Sequence, residues 1–235
     1  MNRLIKISSK PSWLLPLVVA VGLAIALLPA SAGQTPGVLP PQSALGGKTY
    51  AEWHAAWWQW LLSLPVDGHH PGLDSDFDVT AGQSGSVWFL TGPFGTSERH
   101  VTIPVGKSLF VGLVNVEAST LEEPPFYGAT AADQLAIANG FAEFMTDLSF
   151  SLDGKVVDNI GDFRVTSPQF SFTAPTPWIF GATGGTGTAT GVGYFVMVAP
   201  LSVGTHIIHY TGAFKFSEAP EDYLGVDLTY HVTVK

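Results

Sequence analysis

The stretch Val226-Asp227-Leu228-Thr229-Tyr230-His231-Val232-Thr233-Val234 alternates apolar and polar residues without a break. Only an extended strand, with its period of two, sorts such a set onto separate faces. Its valines, Leu228 and Tyr230 therefore face a core, and Asp227, Thr229, His231 and Thr233 face out. Upstream, residues 194–199 are apolar on both faces and read as a central strand, which Pro200-Leu201-Ser202-Val203-Gly204 turns into a partner at 205–211. Asp153-Gly154 is a two-residue hairpin signal that sets Leu152 opposite Lys155 and Phe150 opposite Val157. Short β-branched and aromatic runs at 87–90, 101–105 and 109–116 stand between Gly/Pro turns. Residues 181–193 hold six glycines and no large side chain, the composition of a mobile loop. Short strands with turns every ~8–12 residues point to a mainly β fold, an immunoglobulin-like or jelly-roll β-sandwich.

Two helices pack on that sandwich. Thr49 followed by Glu52 is a capping box, in which each side chain satisfies an orphan amide of a helix start, and Pro65 ends the segment. Over residues 50–63, Trp53, Trp57, Trp60 and Leu61, with Leu64 just beyond, make one wide apolar face. Trp58 lies off that stripe, between His54 and Leu62, and is the tryptophan expected to meet solvent or a ligand. The second helix is expected at 131–147, capped by Thr130 and Asp133, with Ile137, Phe141, Phe144, Met145 and Leu148 at helical spacing. Gly140 inside it costs about 1 kcal/mol relative to alanine.

The first 32 residues read as a signal peptide: Arg3, Lys6 and Lys10, then an apolar run from Trp13 to Leu28, then Ala30-Ser31-Ala32 as a cleavage site. That run falls short of the ~20 residues a bilayer span needs. Residues 33–47, with Pro36, Pro40 and Pro41, read as a flexible leader, and 48–235 as a single domain. Cleavage removes three cations and no anions, so the formal charge moves from −9 to −12. An acidic, lysine-poor surface argues against nucleic acid and anionic lipid as partners. No stable membrane span is expected after cleavage, and the compartment is periplasmic or extracellular. The chain has no cysteine, which excludes disulfides, a thiol nucleophile and thiolate metal sites.

The chemistry-bearing groups are sparse. Asp74, Asp76 and Asp78 open like a calcium loop, but Val79 stands where glycine is needed and Gly85 where glutamate is needed. His206 and His209 lie on opposite faces of one strand. Gly106-Lys107-Ser108 lacks the glycine that starts a phosphate-binding loop, and Ser84 does not sit in a nucleophile elbow. No cofactor and no metal site are expected. One polar set is left: Asn115 and Glu117 share a face at the end of a strand, Arg99 and Lys107 flank it, and Glu52 and Gln59 come from the tryptophan helix. These six either line a small polar pocket or lock helix to sheet as a buried network.

Gly47-Lys48-Thr49-Tyr50-Ala51-Glu52-Trp53, followed by Trp57-Trp58-Gln59-Trp60, resembles the opening of a group of exported bacterial proteins of uncharacterised function. Gly82-Gln83-Ser84-Gly85-Ser86-Val87-Trp88-Phe89-Leu90 and Pro200-Leu201-Ser202-Val203-Gly204-Thr205-His206 extend that resemblance over most of the chain. Members often carry a cysteine before each of two strands, where this chain has Val79-Thr80-Ala81 and Arg99-His100. The resemblance implies export and a compact β-rich domain, and no catalytic residues. The resulting expectation is a non-enzymatic domain that binds a ligand or an envelope component. The alternatives are a hydrolase of an extracellular polymer working through paired carboxylates, and a structural protein of the cell envelope.

Overall fold

A computed structural model describes residues 37–67 and 69–235. The expected signal peptide lies outside them. In chain order the elements are β1 (Val38–Leu39), β2 (Ala44–Leu45), β3 (Lys48–Thr49), α1 (Tyr50–Ser63), β4 (Val87–Leu90), β5 (Gly95–Ile103) and β6 (Ser108–Ser119). They continue with α2 (Ala131–Ala142), β7 (Met145–Leu152), β8 (Lys155–Val156), β9 (Arg164–Thr166) and β10 (Phe170–Ala174). The long strands β11 (Gly185–Val198), β12 (Gly204–Lys215) and β13 (Tyr223–Val234) close the chain. The fold is mainly β and sandwich-like, with two helices.

One sheet runs β1-β11-β6-β4, with β9 and β10 also paired to β11, and the other runs β5-β13-β12-β7-β8. The inward residues of β13 are buried as their alternation requires, from Val226 to Val234. Val114 of β6 meets β12 so closely that a Cβ at Gly212 would lie 2.3 Å from it. The Asp153-Gly154 turn has positive φ at both residues, and Leu152 pairs with Lys155 while the Val157 amide donates to the Phe150 carbonyl. Two pairings are parallel, β4 with β6 and β5 with β13, unlike the antiparallel sheets of an immunoglobulin domain.

Four expectations differ from the structure. The stretch 33–47 is not wholly a leader: Val38 and Leu39 pair with Val198 and Met197, and Tyr50 donates its hydroxyl to the Leu39 carbonyl. The second helix stops at Ala142, because Met145 pairs with Phe214 and the apolar residues beyond it join a strand. The glycine-rich stretch is strand from Gly185 onward. Its glycines are there because α1 and the chain after β6 lie directly on it: a Cβ at Gly187 would come 2.7 Å from Leu121, and one at Gly191 2.6 Å from the Trp58 Nε1. Trp58, finally, is buried, because α1 is covered on nearly every side.

Each helix tryptophan satisfies its N–H, as buried indoles must. Trp57 donates to the Leu90 carbonyl at 3.0 Å, Trp60 to Ala81 at 2.9 Å and Trp53 to Leu45 at 3.0 Å. Trp58 donates to His54 Nε2 at 3.0 Å. His54 therefore keeps its proton on Nδ1, which finds no acceptor, and burial pushes its pKa down to about 3. Among the described residues, no helix is long and apolar enough to cross a membrane.

Candidate functional site

The six residues of the expected polar set do not converge. Glu52 is exposed and closes the capping box, accepting from the Thr49 amide and hydroxyl, and those bonds hold its carboxyl below the usual range. Gln59 is exposed and donates to the Ser171 carbonyl, tying α1 to β10. Lys107 donates to the Gly85 carbonyl beside the Trp88 ring. Arg99 is buried in β5, where its guanidinium donates to the carbonyls of Thr91, Pro71 and Asp74 and to the Tyr230 hydroxyl, and lies over Phe77. It pins the 71–77 loop to the sheet. These four are joints of the fold.

The three aspartates of that loop do not gather either. Asp74 accepts from the His70 amide, and Asp78 accepts from the Thr80 amide and hydroxyl. His206 contacts Asp153 at 2.8 Å and His209 contacts Asp227 at 2.8 Å, each as a separate surface pair.

Asn115 and Glu117 do share a site, built by the second half of β6. Asn115 pairs with Gly193 and Gly112 with Phe195, so Leu113 and Val114 together stand against Tyr194. That bulge resets the alternation, turning Asn115 and Glu117 toward α1 while Val114 turns toward β12. β4 pairs only with residues 108–111 of β6, and among the described residues no strand flanks the rest of that edge. A cavity of about 590 Å³ opens there. Trp57, Trp58 and Leu61 of α1 wall one side, Phe214 and Val226 another, and Asn115, Glu117 and Glu122 supply the polar part. Leu73, Phe94, Phe180, Phe216 and Leu224 also line it, and all five are exposed large apolar residues. A rim of exposed apolar groups gathered around one cavity is the surface mark of a binding site.

Glu122 was not among the expected residues. At the end of β6, the Ser119 hydroxyl accepts from the amides of Leu121 and Glu122 and donates to Glu122 Oε2 at 3.3 Å. This local turn folds the Glu122 carboxyl back against Glu117. Burial, then the Glu122 charge and the hydrogen bond between the two, raises Glu117 well above the carboxylate range. Burial likewise raises Glu122, to about 7, against the hydrogen bonds from Glu117 and Ser119 that lower it. Both carboxyls therefore keep their protons to higher pH than free ones do. No N–H or O–H among the described residues reaches either Glu117 oxygen. The only hint in the sequence was a second acid five residues on, shortly before Pro124-Pro125.

No family model matches this chain. No curated protein matches it either. Among solved structures it is similar to a cysteine protease inhibitor from Entamoeba histolytica, at 13% identity and a TM-score of 0.23, over 63% of this chain and 96% of that one. It is also similar to amebosin, at 10% identity and a TM-score of 0.18, over 60% of this chain and 96% of that one. Likenesses of this size carry no argument about function.

Proposed function

We propose that this is a non-enzymatic binding domain whose cavity takes a small amphiphile with an apolar body and a cationic nitrogen head, an amine or an amidine. The observation that carries the reading is a pair of buried carboxyls, Glu117 and Glu122, in the lining of a mostly apolar cavity. Burying a carboxyl pair without enough donors costs free energy in the empty domain. A ligand that brings several N–H donors and a positive charge relieves that cost, and a ligand with a carboxylate head adds to it. The cavity volume, about 590 Å³, lies in the range of ordinary small-ligand sites. The acidic net charge of −9 favours a cation as well.

The signal-peptide-like first 32 residues, and the resemblance to exported bacterial proteins, support work outside the cytoplasm. Chain-matched octylamine, octanol and octanoate, each tested by thermal shift, check the reading. Octylamine stabilises the domain most and octanoate least; equal shifts from all three would sink the cationic-head assignment.

A second reading has one observation behind it. Two carboxyls sharing a proton are also the working group of aspartic proteases. Glu117 and Glu122 act on each other's ionisation as such a pair does, which supports a hydrolase of an extracellular polymer as the second reading. Peptide-library turnover that disappears in Glu117→Gln would replace the binding reading with this one.

A further inference from the structure

The outward face of the second sheet carries a group that none of the preceding chemistry uses. In the parallel pairing of β5 with β13, His100 stands directly opposite His231, and Glu98 opposite Thr229. Side chains two apart on a strand share a face, so Glu98 and His100 lie on the same side as His231. The two imidazoles stack, with centroids 4.4 Å apart and planes 8° from parallel. Glu98 Oε2 lies 3.6 Å from His231 Nε2. One ligand atom from each of the three residues lies within 4.8 Å of the others. Among the described residues this is the only group of three such side chains so placed.

The geometry points to a surface site for a first-row divalent transition ion, zinc(II) in the first place, held by His100, His231 and Glu98. The donor set selects the class. Two imidazole nitrogens and one carboxylate oxygen suit zinc, copper or nickel; calcium and magnesium demand oxygen shells. Metal–donor bonds of ~2.0–2.2 Å need donors on one ion to lie about 3–4 Å apart. Stacked imidazoles aim their in-plane lone pairs along parallel planes, so one ring turns out of the stack to close on an ion, and Glu98, with its side chain 70% exposed, is free to follow. The backbone beneath is fixed. Val101, Tyr230 and Val232, the inward neighbours of the two histidines, are all buried, and a site carried on packed strands keeps its shape. β5 is the last strand of its sheet, so an ion has open access from the edge.

Three protein donors leave a position for water or for a donor from another molecule, as in open rather than structural zinc sites. The absence of cysteine suits a site that holds its metal exchangeably. Nothing in this inference rests on the amphiphile cavity, which lies on the opposite side of this sheet's residues.

The test is calorimetric titration of the purified chain with zinc(II) in a non-chelating buffer. One ion binds per chain, His100→Ala and His231→Ala each weaken it by about tenfold or more, and Glu98→Gln weakens it by less. The double variant His206→Ala/His209→Ala, which removes the two histidines of β12, binds as the parent does. Copper(II) electron paramagnetic resonance shows coupling to two imidazole nitrogens, one of which is lost in each single-histidine variant. All variants keep the parent's circular dichroism; His100→Gln and His231→Gln serve if an alanine variant does not. No one-to-one event, unchanged binding in the His100 and His231 variants, or loss in the His206/His209 variant would each overturn the assignment.

Discussion

Replacing Glu122 by glutamine should raise stability at alkaline pH and do little at acid pH. The folded chain holds the Glu122 proton to about pH 7, against an ordinary carboxyl value of 4.5. At ~1.4 kcal/mol per tenfold change, that displacement corresponds to about 3 kcal/mol. Its sign follows from the direction. A carboxyl whose folded pKa is raised contributes stability that is fully present below pH 4.5 and is lost as pH rises through about 7. Glu122 therefore accounts for about 3 kcal/mol of the parent's loss between about pH 4.5 and about pH 8.5, and Glu122→Gln is spared that share. For a domain of this size that is about 6–12 °C in Tm. Thermal and urea melts of parent, Glu122→Gln and Glu117→Gln across that window measure it. Glu117→Gln should likewise be more stable than the parent at neutral and alkaline pH, because burial raises Glu117 well above the carboxylate range and the substitution removes that group's own loss of stability with rising pH. A Glu122→Gln profile that runs parallel to the parent from about pH 5 to about pH 9 would refute the raised Glu122 carboxyl.

Other expectations follow from single contacts. His54 is buried with its pKa down at about 3, so stability is lost as pH falls below 6.5, by up to about 5 kcal/mol near pH 3; His54→Gln flattens that acid limb in urea melts. Gly191→Ala places a Cβ 2.6 Å from Trp58 Nε1 and 3.0 Å from His54 Nε2, and should cost about 1–3 kcal/mol while disturbing the cavity wall, read by denaturation and by tryptophan emission. Arg99→Met leaves the Pro71 and Asp74 carbonyls without their donor and should cost about 3 kcal/mol, with faster proteolysis in the 71–78 loop.

Much of the frame was legible in the sequence. The alternation of β13, the Asp153-Gly154 hairpin and the Thr49/Glu52 capping box are local codes, each enforced by backbone geometry within a few residues. What escaped was set by distant partners. The glycines of β11 read as a loop because their purpose, clearance for Trp58 and Leu121, belongs to other elements. Phe144 and Met145 fit helical and strand periods alike, and pairing with Phe214 decided between them. Trp58 was expected, from its angle on the helix, to meet solvent or a ligand; it is buried, because α1 is covered on nearly every side, and it walls the cavity. In the polar set, Asn115 and Glu117 were placed on one face correctly. Their true companion, Glu122, is delivered by a side-chain turn at Ser119 that periodicity does not register. His100 and His231 lie far apart in sequence and meet only through a parallel pairing.

The measurement that bears most directly on the cavity is the proton balance of binding. Octylamine is titrated calorimetrically near pH 6.5 in phosphate and in Tris, whose ionisation enthalpies differ widely. An ammonium head favours the ionised form of the Glu117–Glu122 pair, so binding should release about 0.5–1 proton per ligand, with the release abolished in Glu117→Gln/Glu122→Gln. Binding with no proton release, or with the same affinity and release in the double variant, would show that the amine does not meet this pair and would contradict the account.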